Sequence, residues 1–191
     1  MKKTIKILSL FLLFTINCNC QVTTIVPRSE YDYPNGAYLK DLDNELPFYV
    51  DTWVGILDNK KYTFEFVKFT QHLSQYEPGG PYHYKDKLRG KFKVEDLTTG
   101  SVLYNDLYIT DYHDYKLNLL SLRIGASFSY TDNNNCFNSA DFYLLKVVGN
   151  PNQLRYEHFR LTEFNSYDCP YENQADIPMF LPTGDLILTR Q

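Results

Sequence analysis

The chain has 191 residues, a formal net charge of −4, and is 43% hydrophobic, 22% charged and 16% aromatic. That length suits one ordinary domain, and the apolar fraction excludes a mostly disordered chain. The acidic balance argues against a nucleic-acid binder, which needs a basic face, and nine Gly and nine Pro exclude collagen-like or low-complexity readings.

The N-terminus begins Met1-Lys2-Lys3, carries Lys6, and runs through Ile7 to Ile16 almost without polar residues. A basic start and an apolar stretch too short for a bilayer, which needs about 20 residues, predict a signal peptide over residues 1–20 and export. Cys18 and Cys20 sit at the −3 and −1 positions of a cut before Gln21; the alternative is lipidation of Cys18, which would anchor the protein at a membrane. Cleavage removes three of the 19 basic residues and no acidic one, which takes the formal charge from −4 to −7. Two cysteines then remain, Cys136 and Cys169, and an even pair in an exported chain predicts a disulfide worth roughly 3–4 kcal/mol in the chain-entropy view.

Residues 21–36 read as an extended leader that ends in the turn Tyr33-Pro34-Asn35-Gly36. Tyr38, Leu39, Leu42 and Leu46 then fall at helical spacing, predicting a short helix from Ala37 to Glu45 that stops before Pro47. Phe48–Leu57, with the single Trp53, and Lys61–Phe69 flank a tight Asp58-Asn59-Lys60 turn and form the clearest hairpin. A long loop is expected from His72 to Asp86, followed by strands Leu88–Glu95 and Ser101–Ile109. Further strands are expected over Leu117–Tyr130, Phe142–Val148, Leu154–Phe164, Met179–Leu181 and Asp185–Thr189. Eight or nine strands joined by hairpin-length turns predict an all-β antiparallel meander over residues 37–191, closed into a barrel, with a two-sheet sandwich as the alternative.

The lone Trp53 on the first strand and Arg190 at the end of the last resemble the lipocalin-like, or calycin, pattern. There a Trp packs beneath an Arg and closes one end of the barrel; Asp51 stands where that pattern has Gly. The whole chain also resembles an uncharacterised family of small exported proteins of Bacteroidota. The resemblance lies in Cys18-Asn19-Cys20-Gln21, in Ala37 to Leu46, in Phe48 to Trp53 and in Leu181 to Asp185. It implies export and a barrel, and no reaction.

No catalytic motif emerges. None of the four His lies in a zinc-binding pattern, there is no Gly-x-Ser-x-Gly, and Gly79-Gly80 lacks the Lys of a phosphate loop, so neither metal nor cofactor is expected. Asp111-Tyr112-His113-Asp114 is the densest polar cluster and reads as a solvated turn between strands; the alternative is a weak divalent site or an acid–base pair, since Asp111 and His113 would share a strand face. Two binding readings remain. In the first, Phe64, Phe66, Phe92, Leu119, Phe128, Tyr143 and Leu145 face inward, where they either line a cup for a small apolar or amphipathic ligand or simply fill the barrel. In the second, loops rich in tyrosine (Tyr82, Tyr84, Tyr112, Tyr115) contact an envelope protein or a glycan.

Overall fold

A computed structural model describes residues 23–165 and 167–191. The expected signal peptide, with Cys18, lies outside the described residues. The described residues form eleven strands: β1 (Ile25–Pro27), β2 (Tyr38–Lys40), β3 (Asp51–Leu57), β4 (Lys60–Gln75), β5 (Tyr82–Asp96), β6 (Val102–Asn105), β7 (Leu117–Ser121), β8 (Ala126–Asp132), β9 (Asn138–Val147), β10 (Asn150–Glu163) and β11 (Leu186–Arg190). Eight of them close an antiparallel barrel in the order β5-β4-β3-β11-β10-β9-β8-β7, and β7 returns to β5. The closing seam is short, pairing Arg89 with Asn118 and Gly90 with Leu117. Gly90 leaves room for the Phe66 ring of β4 at this point, since a Cβ there would lie 2.6 Å from that ring and 3.2 Å from Leu117 Cδ1.

β5 serves three neighbours along its edge away from β4. Tyr84 and Lys85 pair with β2, Arg89 and Gly90 with β7, and Lys93 to Glu95 with β6. β1 and β2 run parallel to each other, and β2 runs parallel to β5, so the N-terminal segment is an addition outside the barrel.

Strand alternation separates the two faces. Tyr62, Phe64 and Phe66 on β4 point inward with Leu88, Phe92 and Val94 on β5, Phe128 and Tyr130 on β8, and Phe142 and Leu144 on β9. Their rings pack on one another: Phe66 and Phe128 lie 4.9 Å apart, Phe142 and Tyr156 4.7 Å, and Phe64 and Phe92 5.7 Å. Each buried aromatic removes on the order of 150–250 Å² from water, so this stack stabilises the barrel from within.

Trp53 is fully buried and donates its Nε1 to the Tyr49 carbonyl at 2.9 Å. Arg190 lies over it, its guanidinium 4.6 Å from the ring, while Nη2 donates to the Phe48 carbonyl at 2.6 Å and Nη1 stands 3.6 Å from Asp51. Asp51, where the lipocalin-like pattern has Gly, is therefore an acidic partner for the closing arginine.

Four expectations are corrected. The helix from Ala37 to Glu45 is absent: Tyr38–Lys40 is strand β2, and a 3-10 turn follows at Leu46–Phe48. Tertiary bonds override the helical spacing, because Asp86 accepts from the Tyr38 hydroxyl at 2.6 Å and from the Asp41 amide at 3.1 Å, while Asp41 accepts from the amides of Glu45 and Leu46. The long loop from His72 to Asp86 shrinks to the six residues between β4 and β5, since β4 steps through a bulge at Gln71 (φ 52°) and goes on pairing to Gln75. Leu117–Tyr130 is two strands rather than one, with a turn between them. Met179–Leu181 forms no strand. Cys136 and Cys169 are joined, their Cα atoms 5.3 Å apart, which ties the β8–β9 turn to the segment after β10.

Candidate functional site

The residues expected to face inward divide by strand register. Phe64, Phe66, Phe92 and Phe128 meet inside the barrel and are at most 1% exposed. Tyr143 and Leu145 do not join them. They alternate with the buried Phe142 and Leu144 and so face outward, Tyr143 standing edge-on to the His158 ring at 5.6 Å. The run Phe142–Val148 is apolar at nearly every position, which leaves its register unreadable without the partner strands. Leu119 is half-buried on β7, packs against the core and also borders an outer cleft.

The four prominent clefts are all lined by residues of the strand edges, loops and outer surface. Two of them adjoin along the outward face of β5. The smaller, of about 200 Å³, sits where β5 passes from β2 to β7 and is lined by Arg28, Lys85, Lys87, Arg89, Asn118 and Leu119 among others. The larger, of about 410 Å³, shares Arg28, Lys85 and Leu120 with it and continues past Tyr31, Tyr33, Asp43, Glu45 and Arg123.

The cations arise from strand periodicity. On β5 the inward positions are Asp86, Leu88, Gly90, Phe92 and Val94, so Lys85, Lys87, Arg89, Lys91 and Lys93 all project outward from one strand. At the far end this charge is spent internally: Lys91 pairs with Glu65 at 3.2 Å and Lys93 with Glu95 at 2.7 Å. At the near end it is not. Among the described residues, no carboxylate forms an ion pair with Lys85, Lys87, Arg89, Arg28 or Arg123.

Burial first, and neighbouring cations second, act on the ionisable groups of this surface. Partial burial, then the charges of Arg28 and Lys87, hold the Lys85 ammonium below the usual lysine range. Partial burial, then Lys85 and Lys87, lowers His83; partial burial and Lys87 act the same way on His72. Burial also lowers the Arg28 guanidinium, against the weaker pull of Asp41, Glu45 and Asp86.

The cluster is held in place from beneath. The inward Asp86, 1% exposed, accepts from Tyr38, from the amides of Asp41 and Gln71, and faces Lys68 at 3.7 Å. Burial pushes its carboxyl up, but these donors outweigh burial and hold it below the usual carboxylate range. Burial and the Asp86 hydrogen bond push the Tyr38 phenol up to about 12.

Asp111-Tyr112-His113-Asp114 is a 3-10 turn capped by Asp111, whose carboxylate accepts from the His113 amide at 2.9 Å. Among the described residues, no group of three or more His, Cys, Asp or Glu is placed to hold a metal ion. Tyr112 folds down onto the cationic row: its ring stacks on His72 at 3.6 Å and lies 3.9 Å from the Arg89 guanidinium, which also donates to the Tyr112 carbonyl at 2.9 Å. Of the two tyrosine loops, the one at Tyr112 therefore joins this surface, while Tyr82 and Tyr84 pack edge to face at the start of β5.

Arg28, Lys85, Lys87 and Arg123 escaped notice in the sequence. The signal present there was five basic residues at alternate positions, Lys85 to Lys93, in an acidic chain; nothing local connects them to Arg28 or Arg123.

Among known proteins, a family model described as "Family of unknown function (DUF6705)" matches residues 1–191. No curated protein and no solved structure matches.

Proposed function

The chain belongs to the DUF6705 family of unknown function, and we propose that it is an exported, non-catalytic binding module that takes an anionic ligand on the outside of its barrel. One observation carries this reading: Arg28, Lys85, Lys87 and Arg89 line a cleft of about 200 Å³, and among the described residues no carboxylate forms an ion pair with any of them, in a chain whose formal charge is −4. Half-buried like charges repel and lose hydration, so a cluster of this kind is held at a cost that a bound anion offsets. The interior offers no comparable contact, because Phe64, Phe66, Phe92 and Phe128 pack on one another. Export rests on the basic-apolar N-terminus, and the Cys136–Cys169 bond fits an oxidising compartment. The test is retention on immobilised dextran sulfate at low and moderate salt, for the native protein and for Lys85→Glu/Lys87→Glu. Salt-sensitive retention lost in the double variant supports the reading; equal retention of both proteins, or of neither, overturns it.

A further inference from the structure

We infer that the ligand of this groove is an acidic glycan in which charged and neutral sugars alternate; this rests on the anion-binding reading above. The two joined clefts differ in charge. Every charged residue lining the smaller is a cation, whereas the larger brings Glu30, Asp41, Asp43 and Glu45 together with Arg28, Lys40, Lys85 and Arg123. A densely charged polymer, such as an acidic peptide segment, would meet the cations in the first cleft and then repulsion from carboxylates in the second. A glycan with one acidic sugar beside neutral ones meets cations where it is charged and acceptors where it carries hydroxyl donors.

The second cleft also offers an aromatic face. Tyr31 is 80% exposed, and its hydroxyl accepts from the Arg123 guanidinium at 2.8 Å. A ring so placed packs against the apolar face of a sugar at small entropic cost. Tyr33 also lines this cleft, its ring 5.1 Å from that of His83. The groove is long enough for more than one sugar. Lys85 to Arg89 alone spans about 13 Å at the rise of an extended strand, and the larger cleft extends beyond Lys85.

The experiment measures binding of four probes by titration calorimetry to the full-length mature protein: hyaluronate oligosaccharides (a uronic acid alternating with a neutral amide sugar), neutral dextran, polyglutamate and dextran sulfate. The inference expects hyaluronate oligosaccharides to bind more tightly than polyglutamate of equal charge, and neutral dextran not to bind. It also expects Tyr31→Ala to weaken hyaluronate by about fivefold or more while leaving dextran sulfate within about twofold. Polyglutamate binding as tightly as hyaluronate, or hyaluronate unaffected by Tyr31→Ala, overturns the glycan assignment and leaves anion binding standing. Failure of dextran sulfate together with hyaluronate overturns both.

Discussion

Arg28 donates its Nε to the backbone carbonyl of Asp86 at 3.0 Å, on a stretch of β5 that neither β2 nor β7 reaches. A side chain from outside the barrel thus stands in for a missing strand, and the same guanidinium lines both clefts. Arg28→Ala leaves that carbonyl without this donor and removes one cation from the groove. We expect a loss of about 1–2 kcal/mol in urea unfolding and weaker retention on dextran sulfate. A change in neither quantity would show that Arg28 has no part in the edge or in binding.

The polar clasp beneath the groove gives stability a defined pH dependence. Asp86 is held below the usual carboxylate range in the folded chain, so its contribution is present above the unfolded value near 4 and is lost as pH falls through the lower folded value. Tyr38 and Tyr49 are each pushed up to about 12, so their contribution is whole below the unfolded value near 10 and is lost as pH rises towards 12. Urea midpoints measured across pH should fall on both limbs, and Asp86→Asn should flatten the acid limb while lowering stability at neutral pH by roughly 2–4 kcal/mol. An acid limb unchanged in that variant would contradict the assignment.

Register on β9 makes a sharp contrast between adjacent residues. Phe142 is fully buried against Phe128 at 5.5 Å, whereas Tyr143 faces outward. Phe142→Ala should cost about 3–5 kcal/mol through the cavity it leaves, and Tyr143→Ala under about 1.5 kcal/mol. Comparable losses at both positions would mean that the strand register differs from the one described.

Much of this architecture was legible in the sequence where one physical rule dominated. Tyr62, Phe64 and Phe66 alternate cleanly with Thr63 and Glu65, and β3 and β4 meet at the turn around Asp58-Asn59, both residues at positive φ. The pattern failed where long-range partners decided. Tyr38 and Leu39 have helical spacing with Leu42, but Asp86, far along the chain, captures the Tyr38 hydroxyl and the strand pairs with β5. The groove was legible only in its β5 half. Lys85 and Lys87 show as alternate basic residues once a strand is drawn through them, whereas Arg28 and Arg123 reach them only through the parallel N-terminal strands and the β7–β8 turn.

The Cys136–Cys169 bond fastens the β8–β9 turn to the segment after β10. Reduction, or Cys136→Ser/Cys169→Ser, should lower stability by about 2–4 kcal/mol and leave dextran sulfate binding intact, since the bonded cysteines line neither groove cleft. Thermal melts with and without reductant, followed by the binding assay below the melt, check both halves. Loss of binding in the folded, reduced protein would tie the bond to the site.

The central claim is that the outward face of β5 from Lys85 to Arg89 is an anion-binding surface. Its most direct test is the affinity for dextran sulfate of three folded proteins: native, Lys85→Glu/Lys87→Glu, and Lys60→Glu/Lys61→Glu. The last makes the same change in net charge at the β3–β4 turn, near the opposite end of β5. We predict a loss of at least about tenfold in the first variant and less than about threefold in the second. Equal losses in the two variants would show that binding follows net charge alone and would contradict the site.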